Sequence, residues 1–189
     1  MRRAPAFEGP ARRRAVRALA DAVEQFGRAG YRSVASPDPL EARLESRTGG
    51  LRIRLDVVRQ GRVFGGTYAL EISTGAVLPK TRGLTARGRG LVRLQGVAFR
   101  AKRGDEDGRR VAARLTADPA LSAALADVHF ERIRVEPDGR PVIRHMGGSV
   151  VWVAFPPLVK QIPLVPDQAR ATAAALGALA AAGTRSRSA

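Results

Sequence analysis

The chain has 189 residues, 33 of them Lys or Arg against 17 Asp or Glu, which gives a formal net charge of +16 at pH 7. With 44% apolar residues and no cysteine, this length suits one domain that buries its own core. Disulfides, thiol catalysis, iron–sulfur clusters and Cys-ligated zinc are excluded. Thirty of the 33 basic residues are Arg, only Lys80, Lys102 and Lys160 are Lys, and Asn is absent. Such usage is that of GC-rich coding sequence, so part of the charge needs no partner.

Residues 1–9 are expected to form a flexible start. Ala4 to Pro10 interrupts any apolar export signal behind Arg2-Arg3, and Ala171 to Ala182 falls short of the ~20 apolar residues that span a membrane. The expectation is a cytoplasmic protein without a membrane span. From Pro10 a helix is predicted, with Val16, Leu19, Val23 and Phe26 on one face and Arg12, Arg13, Arg14 and Arg17 on the other. Arg17 and Asp21 are spaced for a helical ion pair.

Next comes an alternating hairpin. Glu41, Arg43, Glu45 and Arg47 point one way, Thr48-Gly49-Gly50 turns, and Leu51, Ile53, Leu55 and Val57 alternate with Arg52, Arg54 and Asp56. The register placing Glu45 opposite Arg54 and Arg43 opposite Asp56 cancels most charge on that face. Gln60-Gly61-Arg62 is read as a turn into a strand from Val63 to Ile72. Ser73 to Gly90, rich in Gly, Thr and Arg without a period, is read as a long loop.

A strand over Leu91 to Lys102 follows, then a helix carrying Val111 and Leu115. Asp118-Pro119 caps a second short helix with Leu121 and Leu125. Strands at Val128–Glu136 and Pro141–Met146 are joined by Pro137-Asp138-Gly139-Arg140, which places residue 132 opposite 145. Gly147-Gly148 marks a bulge before the apolar run Val150 to Phe155, a central strand whose Trp152 and Phe155 are assigned to the core. Leu158 to Val165 is extended. A final Ala-rich helix opens at Pro166-Asp167 and stops near Gly183, and 184–189 is expected to be a disordered tail. The fold class is α+β: a single antiparallel sheet over residues 10–183 with helices on one face and terminal helices flanking it.

Charge by segment separates composition from a candidate site. Lys80 to Arg114 holds eleven basic and three acidic residues, a net of +8, whereas coding bias alone would spread the arginines. Lys80, Arg82, Arg87, Arg89, Arg93, Arg100, Lys102 and Arg103, interleaved with Gly83, Gly88 and Gly90, suit phosphate binding through guanidinium forks and close backbone approach. The partner expected is nucleic acid or another polyanion. Phe99 is the only aromatic residue in the stretch, which offers little base stacking.

Sequence motifs for chemistry fail one by one. Gly75 to Thr81 resembles a phosphate loop, but Pro79 stands where a Gly must precede the Lys. Gly88-Arg89-Gly90 lacks the third glycine of a dinucleotide fingerprint because Arg93 stands there. His129, Glu131 and His145 fall on different faces, so no metal site or cofactor is expected. Arg144, His145 and Ser149 remain a candidate pocket for a phosphate-bearing small ligand. No catalytic residue is assigned, and the alternative to an anion binder is a homodimeric or chaperone-like interaction module.

Leu78-Pro79-Lys80, Phe99-Arg100-Ala101-Lys102, Asp118-Pro119-Ala120-Leu121, Gly147-Gly148-Ser149-Val150-Val151 and Ile162-Pro163-Leu164 before Gln168 together resemble an uncharacterised bacterial domain-of-unknown-function family over roughly residues 78–180. The resemblance implies a compact bacterial domain and no particular activity.

Overall fold

The alanines at 11, 15, 18 and 22 share a face with Leu19 and Phe26, and all six are buried, so the first helix lies close against the sheet. A computed structural model describes residues 8–62, 64–75, 77–89, 96–156 and 158–187. Its elements are α1 (Glu8–Arg28), β1 (Tyr31–Val34), β2 (Glu41–Ser46), β3 (Arg52–Arg62), β4 (Gly65–Ser73), β5 (Leu84–Arg89) and β6 (Gly96–Ala101). Then follow α2 (Glu106–Ala117), α3 (Pro119–Ala126), β7 (Phe130–Val135), β8 (Pro141–His145), β9 (Ser149–Val153), β10 (Leu158–Ile162) and α4 (Pro166–Arg187). The class is α+β, with a large antiparallel sheet and the N- and C-terminal helices flanking it.

The sheet runs β1-β2-β3-β4-β8-β7-β5-β6, and it forks at β4. The second half of β4 pairs with β8 through Glu71↔Arg144, and its first half pairs with β9 through Gly66↔Trp152. Five residues, 145–149, thus lie opposite only two, Ala69 and Leu70. Gly147 and Gly148 make this bulge possible: a Cβ on Gly148, where φ is +73°, would overlap Leu70, and one on Gly147 would crowd the Pro163 carbonyl. The bulge the sequence predicts is present. It sends β8 to β7 and β9 to β10, so the two branches part there.

Leu55, Leu70, Ile72, Ile133 and Ile143 are fully buried on the sheet's apolar side, each contributing roughly 1.5–3 kcal/mol of transfer free energy. Asp105 caps α2 by accepting from Gly108 N–H at 2.9 Å, and Asp118 caps α3 by accepting from Leu121 N–H at 3.0 Å. Two of the sheet's edge strands, β6 and β10, are held by helices. Phe99 N–H at the β6 edge donates to Thr116 of α2 at 3.0 Å, and Arg14 of α1 donates to the Val159 carbonyl on β10.

Several expectations are corrected. β1 was not foreseen, and the 73–90 loop contains β5, whose inward residues Leu84 and Ala86 alternate with exposed Thr85 and Arg87. The β2–β3 register is Glu45↔Arg52 and Arg43↔Arg54, two residues from the expected one, because the four-residue turn closes with Gly49 and Gly50 both at positive φ. Gln60-Gly61-Arg62 is not a turn but the end of β3, paired with Thr67, Gly66 and Gly65. In β7–β8 a bulge between Phe130 and Arg132 puts His145 opposite Phe130 and Arg144 opposite Arg132. Trp152 is core, whereas Phe155 lies beyond the end of β9 and is 86% exposed. Gly183 does not stop α4, which continues to Arg187. The glycine lets the helix meet the Val77 carbonyl, which a Cβ would overlap. Asp21 accepts from Gln161 at 2.9 Å rather than pairing with Arg17.

Candidate functional site

On the sheet's polar side, cross-strand registers assemble two continuous rows. The first reads Glu41, Asp56, Glu71, Arg144, Arg132 across β2, β3, β4, β8 and β7. Beside it runs Arg43, Arg54, Ser73, Val142, Arg134, Thr85, Arg100, from β2 to β6. On β2 and β3 an arginine row lies beside an acid row. On β7 arginines occupy both rows, and β8 adds Arg144 to the first.

The consequence is visible atom by atom. Arg54 reaches Glu41 at 2.8 Å and Asp56 at 2.9 Å, Arg43 reaches Glu41 at 2.7 Å, and Arg52 and Arg32 both reach Glu45 at 3.2 Å. The Arg43 hydrogen bond holds the Glu41 carboxyl below the usual range, while burial raises that of Asp56. At the sheet's centre Glu71, 7% exposed, takes Arg144 Nε at 3.0 Å and Arg134 at 2.9 Å. That carboxylate thus serves two guanidinium groups, Arg144 on one oxygen and Arg134 on the other. Arg132 is left without an ion pair: its Nε is buried with no hydrogen-bond partner, and desolvation, then Arg144 and Arg134, lower its pKa against the smaller opposing pull of Glu131 and Glu71.

Arg87 and Arg100 are exposed on β5 and β6, and among the described residues neither makes an ion pair. Arg89 sits opposite Gly96, and Arg93 lies outside the described residues. Lys80, Arg82, Lys102 and Arg103 are exposed near the other end of these strands. There the Arg82 N–H is held by Asp105 at 2.7 Å, and Lys102 lies alongside Gly83. The two amides it accepts from, Gly108 and Arg82, hold the Asp105 carboxyl below its usual range. Arg132, Arg134 and Arg144 thus join Arg87 and Arg100 on one face. Sequence reasoning missed Arg132 and Arg134. Their signal was the alternation Arg132, Arg134 against Ile133, Val135, which was read only as a strand. Phe99 is buried in the core and offers no surface to a base.

The second candidate set does not converge. Arg144 faces the polar side and is held by Glu71. His145 turns to the other side, where its Nδ1 accepts from Gly147 N–H at 2.9 Å and its Nε2 meets Gln168 Oε1 on α4 at 3.2 Å. Gln168 also accepts from His129 N–H at 2.7 Å and donates to the Asp127 carbonyl at 2.8 Å. Burial lowers the His145 pKa to about 4, so the ring is neutral at pH 7. Ser149 accepts from Leu70 N–H at 3.3 Å. These residues clasp the bulge to α4. A cavity of about 510 Å³ beside Arg43, Arg54 and Thr74 and another of about 540 Å³ beside Arg114, Asp118 and Arg185 are lined by other side chains. No group of three or more His, Cys, Asp or Glu among the described residues could hold a metal ion.

A family model described as "Protein of unknown function (DUF3156)" matches residues 24–182, which takes in every strand and most of the helical cover. The chain belongs to the DUF3156 family. The match begins well before the stretch that carried the resemblance, so α1's second half and the β1–β4 branch are part of the family's domain. Comparison with curated proteins and with solved structures returns no significant match. No helix among the described residues is long and apolar enough to cross a membrane.

Proposed function

We propose that this DUF3156 protein is a binding module for a polyanion, nucleic acid being the one its pattern fits, and that the β5–β8 strip of the polar face is the contact. The observation that carries the reading is Arg132, a partly desolvated guanidinium that makes no ion pair among the described residues, feels Glu131 and Glu71 only at longer range, and lies beside two arginines already committed to Glu71. Its Nε is closed to solvent, but the side chain as a whole is only half-buried, so its remaining N–H groups can meet a backbone phosphate with charge-assisted hydrogen bonds. Glu71 fixes Arg134 and Arg144 in place, so little side-chain entropy remains to be lost there on binding. Arg87 and Arg100 extend the strip outward, and Lys80, Arg82, Lys102 and Arg103 border it. Recognition through phosphates alone carries no sequence preference.

The test is fluorescence anisotropy with labelled single- and double-stranded DNA across a salt series. Binding that weakens steeply with salt is expected, and Arg132→Gln and Arg100→Ala should each flatten the log–log slope by about 0.7–0.9. Absent binding at low salt, or binding indifferent to salt, overturns the proposal. A trinucleotide binding as tightly as a long strand would also overturn it and would point to a phosphate-bearing small ligand.

A further inference from the structure

Among the eight described aromatic residues, six are buried, and the two exposed ones are neighbours. Phe64, 72% exposed, lies at the tip of the β3–β4 hairpin, and Phe155 at the tip of the β9–β10 hairpin. The tips are joined: Ala154 N–H donates to the Phe64 carbonyl at 2.9 Å, and Gly65 and Leu158 both pair with Val153. Leu158 is exposed beside them, and Ile162 is exposed farther along β10, with Lys160 between.

Helix α1 brings cations to the same end. Arg14 bonds the Val159 carbonyl and Asp21 bonds Gln161, so α1 and β10 run in the same direction, and the start of α1 lies toward the Phe155 tip. Arg12, Arg13, Arg14 and Arg17 are exposed there, and none of them makes an ion pair among the described residues. Gly65 to Glu71 along β4 spans about 20 Å, so this end is well separated from the β5–β8 strip.

We infer that the paired hairpin tips form a docking surface for a bilayer that carries anionic phospholipid. Phe64, Phe155 and Leu158 enter the headgroup–acyl boundary, and Arg12, Arg13, Arg17 and Lys160 meet lipid phosphates. Two apolar tips that protrude beside unpaired arginines match such a surface in both of its properties. A second copy of the chain fits less well, because covering the tips would bring two arginine clusters together on molecules that each carry +16. The inference is independent of the polyanion reading.

The test is sedimentation with vesicles of phosphatidylcholine alone and of phosphatidylcholine with roughly one-third phosphatidylglycerol. Binding to the anionic vesicles only is expected, weakened about tenfold by Phe64→Ser or Phe155→Ser. Arg13→Ser or Arg17→Ser should weaken it about fivefold each. These side chains are exposed, so the variants keep the wild-type unfolding midpoint. Arg87→Ala and Arg100→Ala, which address the nucleic-acid strip, leave vesicle binding unchanged. No binding to anionic vesicles, or equal binding by the Phe64→Ser/Phe155→Ser double variant, overturns the inference. So does a dimer in light scattering that the double variant dissociates, which would make the tips a homomeric interface.

Discussion

The polar side of the sheet is built twice from the same residue types, with opposite electrostatic results. On β1–β3, Arg32, Arg43, Arg52 and Arg54 each have an acid within 3.2 Å, and Glu41, Glu45 and Asp56 are all used. On β5–β8, Arg134 and Arg144 divide Glu71 between them, Glu136 reaches Arg134 only at 3.6 Å, and among the described residues Arg87, Arg100 and Arg132 make no ion pair. Net charge does not distinguish a functional face from a solvated one. What distinguishes them is whether the fold itself supplies the counter-charges, and here it does so on one branch and withholds them on the other.

The largest effect that can test this contrast is at Glu71. Glu71→Gln should cost about 3–5 kcal/mol in urea denaturation, because it leaves the buried Arg144 and the half-buried Arg134 without their shared anion. Glu41→Gln, on the better solvated branch, should cost about 1 kcal/mol or less. Equal losses would mean that the branches do not differ. Acid probes the bulge between β8 and β9, beside the cationic branch. The His145 pKa falls from 6.5 when unfolded to about 4 when folded, so its contribution is complete above pH 6.5 and is lost as pH drops toward 4. Between pH 7 and 5, a window above most carboxylate titration, the loss should be about 2 kcal/mol. His145→Gln should flatten that slope whatever its cost at pH 7, and an unchanged slope would show that another group titrates.

Which parts of this were legible in the sequence follows from the period of a strand. Alternation assigned β2 and β3 to the correct faces, yet the partners were displaced by two, since a shift of two residues preserves every face and alters every pair. Charge cancellation on that branch was therefore visible, but the ion pairs producing it were not. The bulge at Glu131 moved Arg144 opposite Arg132, and nothing local in Phe130-Glu131-Arg132 announces an extra residue. The cationic row thus needed the fold to appear. β5 was concealed because only Leu84 among its inward residues is large, and Ala86 two positions on is too small to mark an apolar period. The cap at Asp118 was legible, since one side chain and the next turn decide it. Gly183 misled for the reverse reason: its missing Cβ serves a contact with Val77, 106 residues away in sequence, not a helix end.

A smaller effect separates arginines within the cationic branch. Arg132→Met removes a partly desolvated charge on which two neighbouring cations outweigh the nearby Glu131 and Glu71. It should leave the protein as stable or about 1 kcal/mol more stable. Arg134→Met breaks the Glu71 contact and should destabilise by about 1–2 kcal/mol. Both changes should weaken DNA binding. A marked loss of stability in Arg132→Met would show that this guanidinium is satisfied within the fold, and the argument for a phosphate there would fail.

The smallest expected change is also the sharpest control. Arg52→Ala removes one positive charge from the compensated branch, where the side chain is 83% exposed and its pair with Glu45 is worth at most a few tenths of a kcal/mol. Arg100→Ala removes the same charge from the uncompensated branch. If net charge alone drives association, the two variants weaken DNA binding alike at every salt concentration. If the missing counter-charges drive it, Arg52→Ala leaves both the unfolding midpoint and the salt slope in place, because Glu45 remains to be matched by Arg32 while no phosphate contact is lost. Arg100→Ala then flattens the slope on its own.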